Sequence, residues 1–260
     1  MQNNTFSGLF VGQNLVILTE VDSTNNFLKQ SLANSTPLTE GTVIMAESQF
    51  AGRGQQQNRW HSEPGKNLTF SILLKPSFLA IAQQFNLNVA ISVGIIKALQ
   101  KLLGHAVKTK WPNDIYFDDN KLGGVLIENM VQGSQIKNSI IGIGLNVNQD
   151  VFSPDAPNAT SVKQILHRDY DLKALLAEIC GEIEAAYLML RAGNFEPLKS
   201  FYLGNLYWLN QLRPFKANDE VFNGTIENVS PTGQITVRVD GELRLYNFKE
   251  IEFLNKHNTQ

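Results

Sequence analysis

Short blocks of apolar residues separated by polar, glycine-marked turns predict a mixed succession of strands and helices. Leu15 to Leu18 form a continuous apolar run that predicts a buried strand ending near Val21. Asp22-Ser23-Thr24-Asn25 follows as a helix start, with Asp22 or Ser23 as N-cap and Phe27, Leu28 and Leu32 on one face. Pro37 and Gly41 bound a turn before a second strand, Thr42 to Ala46, which leads into Glu47-Ser48-Gln49. Leu68 to Leu74 alternates apolar with small polar residues before becoming continuous, and together with the second strand predicts a hairpin-like unit. Leu79 to Leu103 reads as a long helix, apolar on most sides over Val89 to Leu99 and so buried.

Beyond it, Val107–Trp111, Ile115–Phe117 and Lys121–Asn129 read as strands joined by turns at Pro112-Asn113-Asp114 and Asp118-Asp119-Asn120. Gly123-Gly124 interrupts the third of these, and paired glycines inside a strand call for a close backbone approach. A turn at Gln132-Gly133-Ser134 precedes a further strand over Ile140 to Asn148. Its Gly142-Ile143-Gly144 opens no helix, so the dinucleotide-binding fingerprint fails. Thr160-Ser161 predicts a cap for a short helix through Leu166. Leu172, Leu175, Leu176, Ile179, Ile183, Tyr187 and Leu190 keep the spacing of an amphipathic helix closed by Gly193, with Cys180 packed on its flank. Phe195 to Leu209 predicts one more helix.

From Leu212 the texture changes to short alternating segments, with Asp240-Gly241 as a strong hairpin signal. These roughly 45 residues suit a small SH3-like barrel serving as lid, brace or docking module. Two domains are therefore expected, 1–210 and 211–260.

The polar run Gly52-Arg53-Gly54-Gln55-Gln56-Gln57-Asn58-Arg59-Trp60 lies between the second and third strands. It lacks the apolar residues to hold itself still, yet carries two guanidinium groups and an indole. It reads either as a solvated loop or as a mobile loop for a flat, anionic ligand. Three small polar residues at Ser23-Thr24-Asn25 likewise either satisfy a helix end or face a small polar ring. Composition narrows the partners. A net charge of −2 argues against a broad, sequence-independent grip on nucleic acid. No apolar run reaches the roughly 20 residues of a membrane span, and the polar start lacks the pattern of a signal peptide. The single cysteine excludes an internal disulfide, so a cytoplasmic location is expected.

In order and spacing, Ser23-Thr24-Asn25, Gly52-Arg53-Gly54, Lys110-Trp111-Pro112-Asn113-Asp114, Lys121-Leu122-Gly123-Gly124 and Gly144-Leu145-Asn146-Val147-Asn148 resemble the motifs of the biotin–protein ligase family, over nearly the whole chain. The resemblance implies an α+β catalytic domain akin to class II aminoacyl-tRNA synthetases, with a mixed sheet, flanking helices and a C-terminal SH3-like barrel. It also implies two steps. Biotin and MgATP give biotinoyl-AMP and pyrophosphate, and a lysine of a biotin carboxyl carrier domain then takes the biotinoyl group as an amide.

The family positions implied for biotin are Ser23, Thr24, Asn25, Gln49, Gly52, Gly54, Lys121, Gly123 and Gly124. Those implied for the nucleotide are Arg53, Trp60, Lys110, Asn113 and Asn146. Arg53 and Lys121 would neutralise charge at the α-phosphate, with Lys121 as main stabiliser. Asp114 would face the metal and the incoming lysine, where a carboxylate can orient or deprotonate the ammonium. Trp111 reads as core, and His61 has no evident partner.

The chain departs from the family at Gln55, Gln56 and Gln57, where other members carry further arginine. Arg53 is therefore expected to carry the adenylate alone, with weaker retention. About 14 residues precede the first strand, which leaves no room for the winged helix-turn-helix of the repressor forms, so no direct DNA binding is expected. Exposed sheet edges make a homodimer an expected arrangement. The alternatives are a lipoate or octanoyl ligase or transferase on the same fold, and a non-catalytic biotin-binding protein; retention of Arg53, Lys121 and Asp114 speaks against the second.

Overall fold

A computed structural model describes residues 6, 8–34, 38–55 and 58–254. Pro37, Gln56, Gln57 and the first four residues, on which some of the expectations above fall, lie outside them. Seven strands form the main sheet: β1 (Leu15–Val21), β2 (Val43–Gln49), β3 (Leu68–Leu74), β4 (Val107–Lys110), β5 (Asp114–Phe117), β6 (Asn120–Gln132) and β7 (Gln135–Leu145), in the order β1-β2-β3-β7-β6-β5-β4. Only β1 and β2 run parallel; the remaining neighbours are antiparallel.

Helix α1 (Thr24–Ala33) is the crossover between β1 and β2 and covers one face, where Leu28 packs on Ile44, Leu73 and Ile140. The opposite face carries α2 (Gln84–Leu103), α4 (Leu172–Arg191) and α5 (Phe195–Gly204); a short α3 (Val162–Leu166) precedes α4. Alternation along β3 divides the two faces. Phe70 and Ile72 enter the larger core, whereas Ser71 turns its hydroxyl toward the start of α1. At the crossing of α2 and α4 a Cβ on Gly94 would lie 2.6 Å from the Ile183 Cα, so only glycine permits that approach.

Strands β8 (Leu212–Ala217), β9 (Glu220–Val229), β10 (Ile235–Val239), β11 (Glu242–Tyr246) and β12 (Glu252–Phe253) form a separate sheet in the order β11-β10-β9-β8-β12. Asp240 and Gly241 both have positive φ, 50° and 90°, as the predicted hairpin requires.

Several expectations are corrected. The β1 run is not buried: it is the sheet edge, with Val16 and Ile17 36% and 40% exposed, because an unbroken apolar run cannot by itself distinguish a central strand from an uncovered edge. The long helix begins at Gln84, after a 3-10 turn over Ile81–Gln83. Strand β7 ends at Leu145, and Asn146 and Asn148 lie beyond it, donating side-chain hydrogen bonds to the Thr160 and Tyr170 carbonyls. Helix α5 stops at Gly204. Leu206, Tyr207 and Trp208 then pack as a buried cluster between the two sheets, with Trp208 at φ 64°.

Candidate active site

The C-terminal ends of β1 and β2, the start of α1 and the glycine-bearing parts of β6 and β7 surround a cavity of about 560 Å³, within the roughly 300–1,000 Å³ usual for small-molecule sites. Of the residues singled out in the sequence, Ser23, Thr24, Asn25, Gln49, Arg53, Gly54, Trp60, Lys110, Asn113, Asp114, Lys121 and Gly124 line it. Gly52, Gly123 and Asn146 do not. A Cβ on Gly52 would strike the Trp60 carbonyl at 2.3 Å, and one on Gly123 the Gly144 carbonyl at 2.6 Å, so both glycines serve the protein's own backbone packing.

One end of the cavity is a relay of polar side chains. The Thr24 N–H donates to Gln49 Oε1 at 2.8 Å. Asn25 Oδ1 can only accept, so the buried Ser71 hydroxyl donates to it at 2.6 Å; the Ser71 and Thr24 hydroxyl oxygens lie 2.7 Å apart, and the Thr24 hydroxyl donates to Gln49 Oε1 at 3.2 Å. Asn25 Nδ2 in turn donates to Glu128 Oε2 at 2.8 Å. Ser23 stands at the N-cap position, yet its side chain makes no cap bond, contrary to the capping role open to it. With Thr24 fixing Gln49 through its carbonyl oxygen, the Ser23 hydroxyl and the Gln49 Nε2 group remain uncommitted among the described residues. They form a donor and acceptor pair suited to a compact polar ring. Gly142 and Gly144 leave room for this wall: a Cβ on them would lie 2.4 Å from Asn25 Oδ1 and from the Trp60 ring respectively. The Trp60 indole N–H is buried with no partner among the described residues.

Arg53 donates from both terminal nitrogens to Glu128, at 3.0 and 3.1 Å, and to Asn26 Oδ1 at 2.8 Å. Glu128 carries no recognisable sequence signal; only strand register brings it there. The loop is tied further by Gly54 N–H to Asn58 O, Asn58 N–H to Gln55 O and Trp60 N–H to Gly52 O. Backbone bonds and one ion pair thus tie the described residues of a segment whose composition alone predicts mobility. Arg59 also lines the cavity, so Arg53 is not the sole guanidinium of the loop at this wall.

At the other end Lys121 Nζ donates to Asp114 Oδ1 at 2.8 Å. The Lys121 backbone is clamped by Asn158 O at 2.6 Å and Thr160 N–H at 2.9 Å. A Cβ on Gly124 would come within 3.1 Å of the Asp114 carboxylate. The Asn113 amide donates to the Val125 carbonyl, fixing the turn. Lys110 Nζ lies over the Tyr116 and Phe253 rings, 4.8 and 5.1 Å from their centroids, and burial lowers its pKa below the ordinary lysine value, with Asp114 opposing that shift. Asp114 and Glu252 are the carboxylates lining the cavity among the described residues, where no cluster of three metal-ligating side chains occurs. That set fits a magnesium ion held mainly by a bound nucleotide, which needs only one or two protein carboxylates.

The C-terminal sheet completes the wall with Phe248, Lys249, Ile251, Glu252 and Phe253. Trp111 is buried as expected, but it also docks this sheet: its indole donates to Gly233 O at 2.9 Å and its ring meets the Phe248 edge. The sequence had shown a brace or lid in general terms only, because strand alternation does not say which neighbour a barrel touches. Cys180 is fully buried and its thiol pKa is pushed up by burial, in keeping with packing.

One cavity on a mixed sheet thus joins an end lined by small polar side chains to an end that carries cations and a carboxylate. Residues 18–146 match the biotin/lipoate A/B protein ligase family. Among its relatives is the bifunctional ligase/repressor BirA of Bacillus spizizenii, 30% identical over 194 residues, or 73% of this chain and 58% of the relative. The biotin–[acetyl-CoA-carboxylase] ligase of Paracoccus denitrificans is 26% identical, with 85% of this chain and 93% of the relative covered. The biotin protein ligase from Aquifex aeolicus in complex with biotin and ATP superposes with a TM-score of 0.77 at 26% identity, covering 92% of this chain and 98% of that one. The chain spans less than two thirds of the length of the Bacillus relatives.

Proposed function

We propose that this chain is a biotin–protein ligase that activates biotin with ATP and transfers it to a lysine of a biotin carboxyl carrier domain. The observation that carries the reading is the union in one cavity of uncommitted Ser23 and Gln49 groups with the Lys121–Asp114 pair. The first suits a ureido ring, which offers one strong acceptor and two N–H donors. The second suits an acyl phosphate and an incoming amine.

In the first step a biotin carboxylate oxygen attacks the α-phosphorus and the bond to the β-phosphate oxygen breaks. Pyrophosphate leaves with the electron pair. Lys121, held in place by its backbone clamps, stabilises the charge spread over the α-phosphate oxygens in the transition state. Trp60 and Asn113 serve the nucleotide, and Lys110 adds positive charge there. Magnesium bound to the phosphates would neutralise them further, with Asp114 as the carboxylate within its reach. In the second step Asp114 orients the acceptor ammonium and takes its proton, so that the neutral amine attacks the acyl carbonyl and AMP leaves. The exposed β1 edge, with Val16 and Ile17, supports a homodimer formed by sheet pairing.

Transfer is tested by incubating a biotin carboxyl carrier domain with enzyme, biotin and ATP and following its intact mass. One biotinoyl addition that requires ATP and the acceptor lysine is expected. Addition to a lysine-to-arginine acceptor, or in the absence of ATP, would refute the proposed chemistry. Lipoate as substrate separates this reading from its nearest rival on the same fold.

A further inference from the structure

In the loop between β2 and β3, Arg53 and Arg59 are antiparallel bridge partners. Residues directly opposite in such a bridge send their side chains to the same face, and like charges placed so repel each other. The charges around the cavity do not resolve this repulsion equally. Arg53 is answered by the bidentate Glu128 carboxylate, with Asn26 on the same nitrogen. Lys121 is answered by Asp114. Arg59 is exposed and has no acidic partner among the described residues, although its side chain lines the same cavity. A guanidinium opposite another, with no acidic partner among the described residues and at the wall of a cavity that Lys110, Lys121 and Lys249 also line, is placed for a multiply charged anion.

We propose that Arg59 binds the polyphosphate of the nucleotide and the pyrophosphate that leaves, while Glu128 holds Arg53 as a positioning residue for the loop. The inference rests on the nucleotide-dependent reading above and adds a residue to it. Arg59 then takes the place of the further arginine that the Gln55-Gln56-Gln57 run does not supply. The residue needs no apolar support, because the backbone bonds of the turn already fix where its Cα stands.

The test compares wild type with Arg59→Ala and Arg59→Lys. KM for MgATP and KM for pyrophosphate are measured in biotin-dependent exchange of labelled pyrophosphate into ATP, and biotin affinity by calorimetry. Arg59→Ala is expected to weaken both phosphate readouts by about tenfold or more, as for loss of a charge-assisted contact, with biotin affinity changed less than twofold. Arg59→Lys recovers most of the loss. Unchanged phosphate readouts, or an equal fall in biotin affinity, would overturn the assignment, the latter by showing that Arg59 only supports the loop. If wild type shows no biotin-dependent exchange, the ligase reading fails. Calorimetry with magnesium pyrophosphate on wild type and Arg59→Ala then decides the Arg59 claim alone: weaker binding by the variant upholds it, and equal or absent binding overturns it.

Discussion

Replacing Lys121 by alanine separates stability from chemistry more sharply than any other substitution in the cavity. Its ion pair with Asp114 has a nitrogen–oxygen distance of 2.8 Å, and the two side chains are 34% and 32% exposed. Solvent screening holds a pair this accessible to about 0–1 kcal/mol of stability, which for a chain of this size is a fall of roughly 2–4 °C in Tm at most. The backbone at Lys121 is secured by bonds to Asn158 and Thr160 that alanine keeps. Loss of one preorganised donor to transition-state charge costs about 10²–10³ in kcat, or roughly 2.7–4 kcal/mol. Chemistry should therefore suffer several times more than folding. Single-turnover formation of biotinoyl-AMP, measured beside a thermal melt and biotin calorimetry, gives all three quantities. Adenylate formation within tenfold of wild type would refute the role assigned to Lys121, as would a collapse of biotin binding that accounts for the whole loss.

Three other perturbations have defined outcomes. Gly144→Ala puts a methyl 2.4 Å from the Trp60 ring; the indole must shift to admit it, so KM for ATP should rise about tenfold while Tm moves little, and an unchanged KM would show that Trp60 is no wall of the nucleotide pocket. Burial lowers the pKa of Lys110, so raising pH removes its charge below the usual lysine range and KM for ATP should rise there; Lys110→Arg, which keeps its proton, should lose that alkaline limb, and an identical limb in the variant would assign it elsewhere. The same shift makes the buried ammonium a cost to folding at neutral pH, relieved as pH rises from the lowered folded value toward 10.5. Gln55→Arg restores a cation to the loop and should slow adenylate dissociation; an unchanged rate would show that Gln55 does not limit retention.

Much of the site was legible because its residues cluster in the sequence at element junctions. Ser23 to Asn25 follow the first apolar run directly, and the Lys110–Asp114 turn and Lys121 lie on one hairpin, so local signals were enough to bring them together. Glu128 was not legible: on β6 it is one polar residue in an alternating strand, and only its register against β7 and the packing of Asn25 bring its carboxylate to Arg53. Gly123 was legible only as a point of close backbone approach, since a glycine required by a neighbouring strand's carbonyl looks in sequence like one required by a ligand. The β1 edge and the shortened α5 show a related limit. Apolar content marks a segment for packing but does not say which faces will be covered, and the aromatic run after Gly204 packs between two sheets instead of extending the helix. The contribution of Phe248 to Phe253 to the cavity depends on how the second sheet docks through Trp111, a contact between residues more than a hundred positions apart.

Biotin-dependent exchange of labelled pyrophosphate into ATP, with lipoate as the control acid, tests the central claim most directly, because it reports formation of the acyl adenylate without needing an acceptor protein. Rapid exchange with biotin and none with lipoate is the predicted result; exchange with lipoate alone, or with neither acid, would contradict the assignment.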